Sequence, residues 1–191
     1  MYKLGDNEVV FHPDTVPAEL TIPEGVTRLP DLFKDPEAVS GITSLHLPST
    51  IKGIYSSTLE VFENLKSVTV AEGNENMASV DGVLYNYSNG SIMFVSEGVG
   101  GDIVVPDGIS DIGTCFSGKA ITSIVLPDSI YILSDGAFAN CTELVSITFG
   151  KNVDTYSINV FEGCDKLELE EYGNAYYIGN HFIKPVSKDI V

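Results

Sequence analysis

The chain has 191 residues, 43% of them hydrophobic, which is enough to bury the core of one domain. Its 27 acidic and 10 basic residues give a formal net charge of −17, which repels phosphate backbones and anionic membranes. We therefore expect no nucleic acid binding and no direct membrane insertion, and no apolar run approaches the ~20 residues of a membrane span. Basic protein surfaces remain permitted partners, although acidic side chains also keep a β-rich surface soluble.

Residues 1–16 lie before the repeated part of the sequence and predict a short hairpin. Lys3-Leu4 and Glu8 to Phe11 are strand-like, and they flank Gly5-Asp6-Asn7, whose residue types favour a turn. A stack of coils exposes a core face and a strand edge at its end, so we expect this hairpin to act as an N-terminal cap.

From residue 17, a frame of apolar positions recurs at intervals of 21 to 25 residues, with one longer gap. Each copy has two apolar residues one position apart, then a Pro or a substitute, and then apolar residues three and six positions later. The apolar pairs are Leu20/Ile22, Leu45/Leu47, Val68/Val70, Ile103/Val105, Ile124/Leu126 and Ile147/Phe149. A large residue follows ten or eleven positions after the Pro: Phe33, Leu59, Phe116, Phe138 and Phe161.

This frame predicts a solenoid, in which each coil completes the core of its neighbour. The apolar pair is typical of a short strand, and Pro ends the strand because it lacks an N–H. We expect one parallel sheet of about six strands, centred near Ile22, Leu47, Val70, Val105, Leu126 and Phe149. The fold class is an α/β solenoid with short helical or irregular return segments, including a helical piece around Ala137 to Asn140. The large residues should form a core ladder, so Phe138→Ala should destabilise the protein more than Phe33→Ala in the irregular first repeat.

We predict a single domain over residues 1–191. It comprises an N-terminal cap at 1–16, repeats at 17–70 and 102–167, an inserted segment at 71–101 and a C-terminal cap at 168–191. Within the insertion, Asp81 to Val95 predicts an antiparallel hairpin that turns at Tyr87 to Gly90. Its Asn-Gly pair is a strong hairpin signal, because both residues tolerate positive φ.

After Phe161 the frame weakens, because Glu170 falls where an inward aliphatic residue is expected. Leu169 to Asn180 then predicts a strand and turn that close the C-terminal end of the stack.

The repeats resemble the leucine-rich repeats of the BspA-like family over residues 17 to 180. The similarity is close in IVLPDSIYILSDGAFANCTELVSITF and IVVPDGISDIG and fair in FEGCDKLELEEY. VAEGNENMASVDGVLYN looks like the family's recurring insertion, and YGNAYYIGN looks like a segment that follows its repeats, whereas HFIKPVSKDIV departs from the usual continuation. The resemblance implies a non-enzymatic protein-binding or adhesion module of a bacterial surface or secreted protein. Its partner would be another protein, such as a host extracellular protein, and we expect a monomer.

The outward residues of the predicted strands are the candidate binding site. They form two columns, in which small hydroxyl side chains leave the sheet face open to a partner. One column contains Glu19, Ser44, Ser67, Asp102, Ser123 and Ser146, and the other contains Thr21, His46, Thr69, Val104, Val125 and Thr148. The predicted site consists of Ser44, His46, Ser67, Thr69, Ser123, Val125, Ser146 and Thr148. Ser and Thr are also ordinary exposed strand residues, so the columns equally fit a plain surface.

Four tyrosines are alternative binding residues, namely Tyr85 and Tyr87 near the hairpin tip, and Tyr176 and Tyr177, although all four also fit packing roles.

Cys141 and Cys164 occupy one repeat column, which Phe62 fills in another copy. We predict buried free thiols there, because stacked side chains point in parallel and suit disulfide geometry poorly.

Catalytic and metal-binding motifs are absent from the sequence. His12, His46 and His181 share no ligand spacing, and neither a G-x-S-x-G elbow nor a phosphate-binding glycine loop occurs. We expect no cofactor and no enzymatic activity. Two alternatives to a binding module stay open, namely a structural spacer without a ligand and an enzyme whose shallow active site has no recognisable sequence motif.

The first residues, MYKLGDNEVVFHP, lack a basic region followed by an apolar stretch and do not predict a signal peptide. Either an export signal lies outside these residues, or the protein stays inside the cell. The family resemblance favours the first alternative and a cell-surface or secreted location.

Overall fold

The computed structural model describes residues 17–29, 39–153 and 159–173, the backbone of strands at 3–5, 8–10, 155–156, 175–178 and 181–185, and the side chain of Ile178. The chain divides into two compact units, Met1–Val99 and Gly100–Val191. The single leucine-rich repeat domain over residues 1–191 stays a prediction.

The described part of the first unit contains short strands and a five-residue helix. The strands are β1 (Lys3–Gly5), β2 (Glu8–Val10), β3 (Glu19–Thr21), β4 (Arg28–Leu29), β5 (Ser44–Leu47), β6 (Gly53–Ile54), β7 (Ser67–Val70), β8 (Met77–Val80), β9 (Val83–Asn86) and β10 (Ser91–Val95), and the helix is α1 (Ser56–Glu60). β1 and β2 pair antiparallel, which confirms the hairpin predicted near the N-terminus.

Stacked coils form the core of the first unit. β3, β5 and β7 make a parallel sheet in which Leu20, Leu45 and Val68 lie in register. β4 and β6 form a second parallel pair on the return side of each coil, through Leu29 and Ile54. All five of these side chains are buried, as the repeating apolar frame predicts.

The inserted segment forms a three-stranded antiparallel sheet in the order β10-β9-β8. β9 and β10 confirm the predicted hairpin, with Tyr85 opposite Ile92. β8 was not predicted, although its turn into β9 consists of Asp81 (φ 49°) and Gly82 (φ 79°). Asp-Gly favours two-residue hairpin turns as Asn-Gly does, so this dipeptide was the signal for the third strand.

The second unit contains further short strands. They are β11 (Gly100–Val104), β12 (Ala120–Val125), β13 (Ile132–Leu133), β14 (Ser146–Thr148), β15 (Thr155–Tyr156), β16 (Glu170–Tyr172), β17 (Ala175–Ile178) and β18 (His181–Pro185). β11, β12 and β14 form a parallel sheet, and β13 pairs in parallel with β15. β16, β17 and β18 form an antiparallel sheet, which confirms the strand and turn predicted from Leu169 and adds two further strands.

The six predicted core strands are all present, and their pairing is parallel. They belong to two sheets of three strands, however, and not to one sheet of six. The insertion is the physical reason, because β8, β9 and β10 come between β7 and β11 in the chain and form a sheet of their own. Most strands also lie slightly earlier than expected; β3, for example, ends at Thr21, just before its predicted centre at Ile22.

The predicted helical piece around Ala137 to Asn140 is wrong, because this segment consists of turns. Phe138 N–H donates to the Val160 carbonyl at 3.0 Å, and Asn140 N–H donates to the Glu162 carbonyl at 2.6 Å. These amides bond to carbonyls of the next coil instead of to carbonyls one helical turn earlier, so the hydrogen bonds of an α-helix are not formed here.

An aromatic ladder runs through the second unit, as predicted. The Phe138 ring stacks on Phe116 with centroids 6.0 Å apart and on Phe161 with centroids 5.6 Å apart. Phe33 lies outside the described residues.

The predicted free thiols beside this ladder are confirmed, and each bonds to the preceding coil. Cys141 Sγ donates to the Phe116 carbonyl, and Cys164 Sγ donates to the Phe138 carbonyl, both at 3.0 Å.

Candidate functional site

In the first unit, the predicted columns of outward residues lie on one face of the sheet. Glu19, Ser44 and Ser67 are register partners across β3, β5 and β7, and so are Thr21, His46 and Thr69. Parallel pairing in this register stacks equivalent side chains at the ~4.8 Å strand spacing. The polar residues alternate with the buried Leu20, Leu45 and Val68, so they face away from the core.

Neighbouring side chains within these columns bond to one another. Ser67 Oγ donates to Ser44 Oγ at 3.0 Å, and His46 Nδ1 lies 2.7 Å from Thr69 Oγ1. Ser44, His46 and Ser67 are half-buried, whereas Thr69 is exposed. This part of the face therefore presents ordered polar groups that are already partly satisfied within the sheet.

The second unit carries the same two columns. Asp102, Ser123 and Ser146 are partners across β11, β12 and β14, and so are Val104, Val125 and Thr148. The structure thus brings the predicted residues together within each sheet, in two separate groups: Ser44, His46, Ser67 and Thr69 in the first unit, and Ser123, Val125, Ser146 and Thr148 in the second. Their role in binding a partner stays a prediction.

Asp102 organises the polar column of the second unit. Its Oδ1 accepts hydrogen bonds from Ser123 Oγ at 2.7 Å and from Thr122 Oγ1 at 2.8 Å. These two bonds, that from Ser123 first, stabilise the carboxylate and hold the pKa of Asp102 below its ordinary value. Asp102 is therefore an anchored negative charge at one end of the column.

Replacing Ser123 with alanine is expected to raise the pKa of Asp102 toward its ordinary value, because the strongest bond to the carboxylate is lost. The lowered pKa belongs to the folded state, so the stability it contributes is present at neutral pH and is lost as the pH falls through that pKa. A carboxyl ¹³C titration by NMR measures the shift. Ser146→Ala is the control, since Ser146 is separated from Asp102 by β12; an equal Asp102 pKa in Ser123→Ala and wild type would contradict the assignment.

The second column of this unit contains two adjacent apolar residues. Val104 and Val125 are direct register partners, and their exposed fractions are 65% and 39%. A single exposed valine is common on protein surfaces. Here two exposed valines are adjacent and lie beside the anchored Asp102 carboxylate, so this part of the face offers both an apolar and a negatively charged surface. Sequence reasoning placed Val125 in the site and Val104 in its column, but it could not distinguish this pair from the hydroxyl residues around it.

The alternative tyrosines differ in burial. Tyr85 is 1% exposed, and burial raises the pKa of its hydroxyl well above the ordinary value, so it is a core residue. Tyr87 is 37% exposed. The side chains of Tyr176 and Tyr177 lie outside the described residues.

In the described part of the chain, no three His, Cys, Asp or Glu side chains are grouped so that they could hold a metal ion. Within the same residues, no helix has the length and apolar character that crossing a membrane requires.

Each coil has short parallel strands, an irregular segment that connects them, and one set of apolar residues that face the core. This arrangement is typical of leucine-rich repeat solenoids. The chain belongs to the family of the BspA type leucine-rich repeat region, whose model matches residues 15–97 and 102–184 in six copies. No curated protein matches the sequence.

Solved structures share the fold. A leucine-rich cell surface protein from Faecalibacterium prausnitzii A2-165 is 23% identical with a TM-score of 0.50, and the alignment covers 78% of this chain and 46% of that one. The pneumococcal vaccine antigen PcpA is 19% identical with a TM-score of 0.52, covering 78% and 49%. A leucine-rich repeat protein from T. pallidum is 18% identical with a TM-score of 0.52, covering 88% and 87%. The chain thus spans about half the length of the first and second of these proteins.

Proposed function

We propose that this chain is a non-enzymatic module that binds another protein at a bacterial cell surface. The proposed contact surface is the sheet face of the second unit, formed by Asp102, Ser123 and Ser146 in one column and by Val104, Val125 and Thr148 in the other. The partner is a protein with apolar and basic groups on its contacting surface, and host extracellular proteins are candidates of this kind.

The observation that carries this proposal is the exposed pair Val104 and Val125 beside the Asp102 carboxylate. Burying the two valines gives a partner apolar contact, and Asp102 attracts a basic group to the same place. The surrounding hydroxyl side chains are small, so an incoming surface can approach the sheet closely. A cell-surface location is supported by the family and by the F. prausnitzii cell surface protein of the same fold.

Replacing Val104 with glutamate is expected to weaken partner binding at least tenfold, because a charge replaces the most exposed apolar side chain of the pair. The wild-type chain is first screened by biolayer interferometry against purified extracellular matrix and serum proteins, and the variant is then measured against each protein that binds.

Ile132→Glu is the matched control. Ile132 is 60% exposed and lies on β13, outside the β11-β12-β14 sheet, so its loss should leave the affinity unchanged. Equal affinity of Val104→Glu and wild type for every bound protein would overturn the proposed surface. Absence of any bound protein would favour the structural spacer instead.

A further inference from the structure

We propose that the free edge of β14 binds an extended basic peptide as an added strand. β14 is the last strand of its sheet, and Leu126 N–H donates to the Thr148 carbonyl at 2.9 Å, so Thr148 faces β12. Backbone groups alternate sides along a strand, so the N–H and C=O of Ile147 point away from β12. They are the donor and acceptor that a further strand requires.

The corresponding edge in the first unit is closed. Val68 occupies the same column as Ile147, and its carbonyl accepts a hydrogen bond from Ser79 Oγ at 2.8 Å. The carbonyl of Lys66, two residues earlier, accepts one from Glu97 N–H at 2.8 Å. Ser79 and Glu97 both belong to the inserted segment, so the insertion satisfies the edge of β7.

A cleft takes the place of such a closure at β14. Its volume is about 500 Å³, and it is lined by residues 145–147 on one side and by residues 167–170 and Ile178 on the other. Among the described residues, no group across the cleft bonds to the backbone of Ile147. The space therefore adjoins a strand edge whose polar groups no described residue occupies.

The divergence of the C-terminal cap creates this cleft. Glu170 occupies the column that Ile147 fills one coil earlier, and an unpaired carboxylate is costly to bury. Glu170 is exposed instead, and β16 pairs antiparallel with β17 through Glu170 and Tyr177. As a result, β16 does not extend the parallel sheet beyond β14.

The lining indicates the chemistry of the occupant. Glu168 and Glu170 are exposed, and neither belongs to an ion pair within the described chain. Lys166, the basic residue nearest to them in the sequence, is already paired with Glu143 at 2.6 Å. Lys or Arg side chains of a peptide would therefore meet carboxylates that no described basic side chain pairs.

Apolar side chains of the same peptide also have a place. Leu167 and Val145 both line the cleft, and Val145 is 47% exposed. Successive residues of a strand point to opposite sides, so a peptide that alternates basic and apolar residues satisfies the carboxylates and the apolar wall together. A second copy of this chain is a poorer occupant, because two chains of net charge −17 repel each other.

The experiment uses the full chain and a labelled, blocked peptide of alternating lysine and valine, about six residues long, which spans about 20 Å when extended. Fluorescence anisotropy measures the affinity at low salt, and amide hydrogen exchange by NMR measures protection of Ile147. We expect saturable binding, slower exchange of the Ile147 amide, and at least tenfold weaker binding of a peptide with N-methylated backbone amides.

The double variant Glu168→Lys/Glu170→Lys is expected to bind the peptide at least tenfold more weakly. The control is Glu63→Lys/Glu72→Lys, which changes the net charge equally at exposed positions of the first unit and should retain binding. Equal losses in both variants, or unchanged exchange at Ile147, would overturn the proposal. Val104→Glu should leave peptide binding intact, so failure of the sheet-face proposal and failure of this one are distinguishable.

Discussion

Phe138→Ala is expected to lower the free energy of unfolding by about 3–5 kcal/mol, the usual cost of truncating a buried phenylalanine. The side chain is fully buried, and its ring stacks on rings of the coils before and after it, Phe116 and Phe161. Removing it leaves a cavity and breaks both contacts at once. Because the total stability of a domain is only about 5–15 kcal/mol, this one change should remove a large part of it.

Urea denaturation followed by circular dichroism measures the effect. Ser146→Ala on the exposed sheet face is the control and should change stability by less than about 0.5 kcal/mol. If Phe138→Ala unfolded at the same urea concentration as Ser146→Ala, the aromatic ladder would not be the core of the second unit. The comparison with Phe33→Ala stays a prediction, because Phe33 lies outside the described residues.

Gly150→Ala is expected to destabilise the protein by about 1–3 kcal/mol or more, because the new methyl group overlaps the backbone of the preceding coil. A Cβ at Gly150 would overlap the Pro127 carbonyl oxygen and would lie 2.8 Å from the Asp128 nitrogen. Neither atom belongs to a flexible side chain, so the coils themselves must move apart.

Gly53→Ala provides the matched control for this prediction. A Cβ at Gly53 would meet nothing within 4 Å, so the same chemical change should alter stability by less than about 0.5 kcal/mol. Thermal unfolding monitored by circular dichroism compares the two variants. Equal melting temperatures for Gly150→Ala and the wild type would contradict the close approach of the coils at this position.

The repeat frame was sufficient to predict the interior of each coil and the register between coils. Leu20, Leu45 and Val68 are predicted to stack, and they lie in register in the structure. The apolar positions have the same spacing within the frame of each coil, so only one register buries all of these side chains. The same argument placed Phe116 beside Phe138 and aligned Ser123 with Ser146. The hairpin of β9 and β10 was likewise predictable from a local turn signal.

Features that depend on contacts between distant backbone segments were not predictable in this way. The sequence marks Gly150 only as a substitute for Pro, whereas the structure shows that the Pro127 carbonyl leaves no room for a side chain. It marks Glu170 as an exception to the frame, but it does not show that β16 turns to β17 and opens a cleft beside β14. Periodicity reports which side of a strand is buried, whereas the pairing of a strand edge depends on every segment that competes for it. The two sheets of three strands, the closed edge at β7 and the free edge at β14 are therefore properties of the folded chain.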